Sequence, residues 1–143
     1  MTASPYANLL IRQFEGLRLT AYRCPSGIWT IGYGHTENVH KGDTITQSQA
    51  EEYLRQDIEP IEVYLNSQQL NISQNQFDAL TSLIFNIGIP AFSHSTLLKL
   101  IKANPDDSAI TDQFLRWIYS DGKPLPGLQR RRTEEAKLYF LKM

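Results

Sequence analysis

The sequence predicts an α+β fold with a small hairpin lobe near the N-terminus and a larger helical lobe after it. Between Leu17 and His35, aromatic and β-branched residues flank a single Pro25-Ser26-Gly27 turn, the pattern of an antiparallel hairpin. From Thr46 onward, apolar residues recur at helical spacing, and Ser or Thr followed three residues later by Gln marks two helix starts. A chain of 143 residues that is 41% hydrophobic is long enough to bury a core. No repeat, low-complexity stretch or Pro/Gly/Ser-rich linker divides it. One domain over residues 1–143 is therefore expected, with a β lobe at about 15–45 and a helical lobe at about 46–143 plus the N-terminal helix.

In order, Tyr6 to Glu15 carries Leu9, Leu10, Ile11 and Phe14 and reads as a short helix closed by Gly16. Leu19, Ala21 and Tyr22 before the turn, and Ile28, Trp29, Thr30, Ile31 and Tyr33 after it, form the one convincing sheet in the sequence. Thr46 with Gln49 has the form of a capping box, followed by Ala50, Tyr53, Leu54, Ile58, Ile61 and Leu65. Pro60 is expected to kink or end that helix. Ser73 with Gln76 opens a second helix, through Phe77, Leu80, Leu83, Ile84 and Phe85, which closes near Gly88-Ile89-Pro90. Ser95 or Thr96 starts a third through Leu97, Leu98, Leu100 and Ile101. Phe114–Tyr119 and Leu128–Leu141 make two more.

Composition excludes several classes of function. A net charge of −1 offers no global field for nucleic acid. Acids dominate from Glu37 to Glu62 and bases from Arg116 onward, so the basic end reads as a solvated helix face or a contact to an anionic wall. In particular, Arg130 to Arg132 are candidates for wall contact, with at least one further pairing to Glu134 or Glu135. Cys24 is the single cysteine, so no internal disulfide is needed. No apolar run approaches a bilayer span and no signal peptide is evident, so no membrane insertion is expected. His35 and His40 lack a third ligand at useful spacing, which argues against a metal site. There is no Walker loop, no Gly-x-Ser-x-Gly elbow and no complete dinucleotide loop.

The remaining dense stretch is Glu15 to Thr36. Glu15 sits where a helix gives way to the hairpin, beside Leu17, Leu19 and Tyr22. Desolvation there favours a protonated carboxyl, the group glycoside hydrolysis needs for the leaving oxygen. On these residues alone, a surface glutamate near a helix end is the better explanation.

The run Glu15-Gly16-Leu17-Arg18-Leu19-Thr20-Ala21-Tyr22, then Gly27-Ile28-Trp29-Thr30-Ile31-Gly32-Tyr33-Gly34-His35-Thr36, closely resembles the signature of the phage lysozymes of glycoside hydrolase family 24. The likeness continues through Gln74–Leu80, Phe85-Asn86-Ile87-Gly88 and Gly127-Leu128-Gln129-Arg130-Arg131-Arg132 to Glu135. It implies a lysozyme-like fold with a cleft between the lobes, and cleavage of the β-1,4 bond from N-acetylmuramic acid to N-acetylglucosamine in peptidoglycan, without a cofactor.

The family places a Glu, an Asp or sometimes a Cys nine positions on, and a Thr six beyond that. The matching positions are Glu15, Cys24 and Thr30. The resemblance implies Glu15 as general acid and Thr30 as a hydroxyl that holds the attacking water. Cys24 stands where most relatives have a carboxylate, and it reads as base, nucleophile or bystander. A free thiol ionises near pH 8.5, so a role near neutrality needs an environment that favours the thiolate; Arg23 and Arg18 are the candidate neighbours. By the same resemblance, Thr36, Phe85, Asn86 and Ser95 line the sugar groove, although the helical spacing of Phe85 also fits a core position. His35 is expected to pair with a carboxylate and brace the lobes, and Trp117 to pack in the core. The biological reading is a monomeric endolysin held in the host cytoplasm until a holin releases it to the periplasmic wall. A wall-binding module without activity and a lytic transglycosylase are the alternatives.

Overall fold

The computed structural model describes residues 1–142. Helix α1 (Pro5–Glu15) is set by both of its ends. The Ser4 hydroxyl accepts from the Tyr6 N–H, and Pro5 occupies the first turn, where its missing N–H costs nothing. Gly16, at φ 71°, stops the helix and returns its N–H to Arg12 O. Upstream, the Ser4 N–H donates to Asp78 Oδ1 at 2.9 Å, and the Ala3 N–H donates to Glu62 Oε2 at 2.6 Å. The first residues of the chain are thereby fastened across the helical lobe.

Strands β1 (Arg18–Arg23) and β2 (Trp29–Gly32) pair antiparallel around the expected turn. Tyr22 lies opposite Thr30 and Arg23 opposite Trp29, with an irregularity between Arg18 and Tyr22. Thr44 bridges to Thr20 and extends the small sheet. The helical lobe follows with α2 (Gln47–Ser67), α3 (Gln74–Ile87), α4 (Ile89–Ser93), α5 (Thr96–Ala103) and α6 (Ile110–Phe114). A second, two-residue hairpin of β3 (Tyr119–Ser120) and β4 (Lys123–Pro124) leads into α7 (Pro126–Phe140). Both capping boxes, at Thr46/Gln49 and Ser73/Gln76, are formed as the sequence indicates.

The structure corrects two expectations and narrows a third. Helix α2 runs through Pro60 without ending. Pro60 and Gln56, whose carbonyl loses its partner, are both exposed, so water can serve the orphaned group. Meanwhile Ala50, Leu54, Ile58, Ile61 and Leu65 keep one apolar face buried on both sides of the proline. The expected Phe114–Tyr119 helix stops at Phe114. Asp121 and Gly122, both at positive φ, make the tight turn that pairs Tyr119–Ser120 with Lys123–Pro124. The first hairpin is therefore not the only sheet.

Two buried clusters hold the fold together. The larger lies around α3, with Phe77, Leu80, Leu83 and Ile84 against Phe92, Leu97, Ile101, Phe114 and Tyr139. The smaller joins Ile11, Tyr33, Ala50, Leu54 and Ile58 where α1 and α2 meet the hairpin. Phe85 packs against both. Leu83 is fully buried while Val63 is 64% exposed. Accordingly, Leu83→Ala should lower unfolding free energy by about 2–5 kcal/mol in urea titrations, and Val63→Ala by no more than about 0.5 kcal/mol.

Candidate active site

Helix α7 delivers Arg131, Arg132 and Glu135 to the interior, all three at most 3% exposed. Glu135 Oε2 accepts from the Ser82 hydroxyl at 2.5 Å and from Arg131 Nε at 3.1 Å, while its Oε1 accepts from Arg132 Nη1 at 2.5 Å. Arg131 Nη2 donates to Ser82 O at 3.0 Å. Arg132 Nε donates to Trp117 O at 2.8 Å, and its Nη2 donates to Asn86 Oδ1. Burial pulls the Arg132 guanidinium below its ordinary range, and the Glu135 charge acts against that loss. Arg131 and Arg132 thus cannot meet a cell wall, contrary to the sequence reading: their charges are balanced inside the protein. Arg130 alone of the three is exposed.

The remaining guanidinium nitrogen of Arg131, Nη1, donates to Glu15 Oε2 at 2.5 Å. The last residue of α1 is in this way gripped by the helix that ends the fold. The other oxygen faces the hairpin. Gly34 sits at φ +75°, and a Cβ there would lie 2.6 Å from Glu15 Oε1. Each carboxylate oxygen therefore addresses a different lobe, and only glycine leaves room for it. A groove of about 700 Å³ opens beside it, lined by Phe14, Glu15, Asn86, Leu125, Gly127 and Arg131, among others.

On the hairpin, the Tyr22–Thr30 pairing puts Cys24, two residues beyond Tyr22, near Thr30. Cys24 Sγ lies 2.8 Å from Ser26 Oγ. The Ser26 hydroxyl is the main influence that lowers the thiol to about 7; partial burial opposes it, and Ile28 and Ser26 backbone groups and the Thr30 side chain assist. No arginine is responsible. The Arg23 guanidinium lies 5.6 Å from the Trp29 ring centre and that of Arg18 4.5 Å from Tyr22. Thr30 is buried, and its hydroxyl donates to Ile28 O at 3.0 Å. No hydrogen bond or ion pair joins Glu15 to Cys24 or Thr30 among the described residues.

The expected groove residues are not all gathered together. Asn86 lines the Glu15 groove while its amide oxygen holds Arg132. Phe85, half-buried, fastens the two cores together, and Thr36 is exposed on the loop after β2. Ser95 caps α5: its hydroxyl donates to Phe92 O at 2.6 Å and accepts from Leu98 N–H at 3.1 Å. It lines a separate hollow with Arg116 and Trp117. Trp117 packs against the larger core. His35 is tied to a carboxylate as expected, with Nδ1 2.8 Å from Asp57 Oδ2 and the ring stacked 4.3 Å from Tyr53. Burial raises the Asp57 carboxyl, and the His35 bond pulls the other way. Sequence reasoning missed Gly34 and Ser26. The only signal for either was its place inside the Glu15–Thr36 motif.

The geometry has counterparts among known proteins. The phage lysozyme family matches residues 12–135, which takes in the end of α1 with Glu15, the hairpin and the Glu135 network. The chain belongs to the phage lysozyme family. It is 49% identical over 136 residues to the endolysin of Acyrthosiphon pisum secondary endosymbiont phage 1, covering 92% of each chain. It is 40% identical to the endolysin of Bacillus phage PZA over 91% of this chain, but spans 52% of that longer protein. Among solved structures, the muramidase domain of SpmX from Asticaccaulis excentricus superposes with a TM-score of 0.89 at 36% identity, covering 99% of both chains. Family membership supports cell-wall lysis as the activity. None of the helices is long and apolar enough to cross a membrane, among the described residues.

Neutralising the buried hub leaves two guanidinium groups without their shared counter-charge. Glu135→Gln should therefore cost about 3–5 kcal/mol of stability, measured by urea unfolding at neutral pH.

Proposed function

We propose that the protein hydrolyses the β-1,4 bond between N-acetylmuramic acid and N-acetylglucosamine in bacterial peptidoglycan, with Glu15 as the acid. The observation that carries this reading is the seat of Glu15, at the junction of the lobes, with one oxygen held by Arg131 and the other against Gly34. Fixed orientation is what a proton donor to a glycosidic oxygen requires. The muramidase named among the structural neighbours and the endolysins among the relatives agree with this chemistry.

Glu15 gives its proton to the leaving oxygen as the bond from that oxygen to the anomeric carbon breaks. A water molecule attacks the same carbon and passes its proton to the Cys24 thiolate, and Thr30 orients that water through its hydroxyl. The products are two shortened glycan ends, one of them a reducing sugar. The proton then returns from the thiol to the Glu15 carboxylate through solvent. A thiol lowered to about 7 is substantially ionised near neutrality, so Cys24 can serve as the base that most relatives make from a carboxylate.

The test is clearance of outer-membrane-permeabilised Gram-negative cells under reducing conditions. Glu15→Gln and Cys24→Ser should each slow lysis by about 100-fold or more while remaining folded. Full activity of Cys24→Ser would remove the thiol from the mechanism. An inactive wild type that still binds walls would replace hydrolysis with binding. Mass spectrometry of the products should show added water; 1,6-anhydro ends would make the protein a transglycosylase.

The glycine seat gives an independent check. Gly34→Ala should displace the Glu15 carboxyl and reduce lysis by about 10-fold or more, because small misplacements at the reacting centre are costly. Full lysis by a folded Gly34→Ala protein would show that the seat is not needed.

A further inference from the structure

We propose that Ser26 is a positioning residue for the reaction: its hydroxyl donates to Cys24 Sγ and holds the sulfur as a thiolate at the hairpin turn. The proposal rests on the reading of Cys24 as a reacting group.

The turn itself creates the contact. The Cys24 N–H donates to Ile28 O at 3.0 Å, and the Gly27 N–H donates to Cys24 O at 2.8 Å. Gly27, at φ 86°, lets the chain reverse within these few residues. Closing the turn folds Ser26, two residues beyond Cys24, back onto the sulfur at 2.8 Å. The serine hydroxyl has no other hydrogen-bond partner among the described residues.

The direction of the bond decides what it does. In the neutral thiol either atom can donate. The thiolate has no proton, so only the serine can donate, and a bond to a charged acceptor is the stronger one. The contact therefore favours ionisation. The charged and titratable neighbours do not supply the same effect. Arg23 lies over Trp29 and Arg18 over Tyr22 on the same hairpin, while Glu15, at the end of α1, is bound by Arg131. The remaining support comes from neutral groups, the Ser26 and Ile28 backbone and the Thr30 hydroxyl. A serine hydroxyl thus does for this sulfur what a neighbouring cation does in many reactive thiols.

Cys24 is the only cysteine, so its alkylation can be followed without background. The experiment compares wild type, Ser26→Ala and Ser26→Thr by the pH dependence of iodoacetamide alkylation and of initial lysis rate in reducing buffer. Thermal unfolding serves as the check on folding. Wild type should alkylate with a midpoint of about 7. Ser26→Ala should move that midpoint up by about one pH unit, which is about tenfold slower alkylation at about pH 6. The acid limb of the lysis profile should move by the same amount, because protonation of the sulfur removes the base as pH falls. Ser26→Thr, which keeps the hydroxyl, should restore both profiles.

An unchanged alkylation profile in Ser26→Ala overturns the proposal. A shifted alkylation profile with an unmoved lysis profile also overturns the positioning role, but for a different reason: it shows that Cys24 takes no part in the reaction. Full lysis by Cys24→Ser would show the same thing independently.

Discussion

Glu135 is a fully buried carboxylate, and much of the site's geometry descends from its need for partners. An isolated charge in that position would be too costly to keep, so it is surrounded by Arg131, Arg132 and the Ser82 hydroxyl. Two cations around one anion leave a surplus positive charge. At the edge of the cluster, Arg131 Nη1 takes Glu15 Oε2 as its hydrogen-bond acceptor. The placement of the candidate acid thus follows from how Glu135 and Ser82 orient Arg131 in the core of the helical lobe. Asn86 and the Trp117 carbonyl are fixed by the same arrangement through Arg132.

The lobes are held in register by contacts of a different kind. Phe85 touches both apolar clusters, and the stacked His35–Tyr53 pair, with Asp57 behind it, ties the hairpin to α2. The polar network fixes Glu15 from the helical side. The packing fixes Gly34, and with it the face of the hairpin, from the other. Glu15 is thereby held between two independently anchored surfaces.

The sequence made local features legible and left long-range ones hidden. Capping boxes at Thr46/Gln49 and Ser73/Gln76, the Gly16 stop and the Pro25-Ser26-Gly27 turn are encoded within a few residues, and each is formed. At Pro60 the sequence could not show whether the helix ends, because the penalty of an interior proline depends on whether the freed carbonyl can reach water, which only burial reveals. Phe114 to Tyr119 misled because its apolar residues fall at helical spacing, whereas the turn at Asp121 and Gly122 pairs Tyr119 with Pro124 in a hairpin. In the site, the motif marked Glu15, Cys24 and Thr30 by position. It could not show that Arg131, 116 residues along the chain, holds Glu15, nor that a serine rather than an arginine acts on the sulfur. Ser95 illustrates the opposite limit: its hydroxyl is already engaged at a helix start.

Helix α1 belongs to the beginning of the chain by sequence and to the end of the fold by contact. Leu10 packs into the cluster built mainly by α3 and the later helices, and Ile11 into the one shared with α2. Ser4 is fastened to Asp78, and Glu15 to Arg131. During synthesis this helix emerges ahead of α2, α3 and α7, which hold it. Eleven residues are marginal as an isolated helix in water, so the segment stays fluid in the nascent chain. Assembly of the acid's surroundings therefore waits for the synthesis of α7, and a product cut short of Arg131 would carry Glu15 without the contact that holds it.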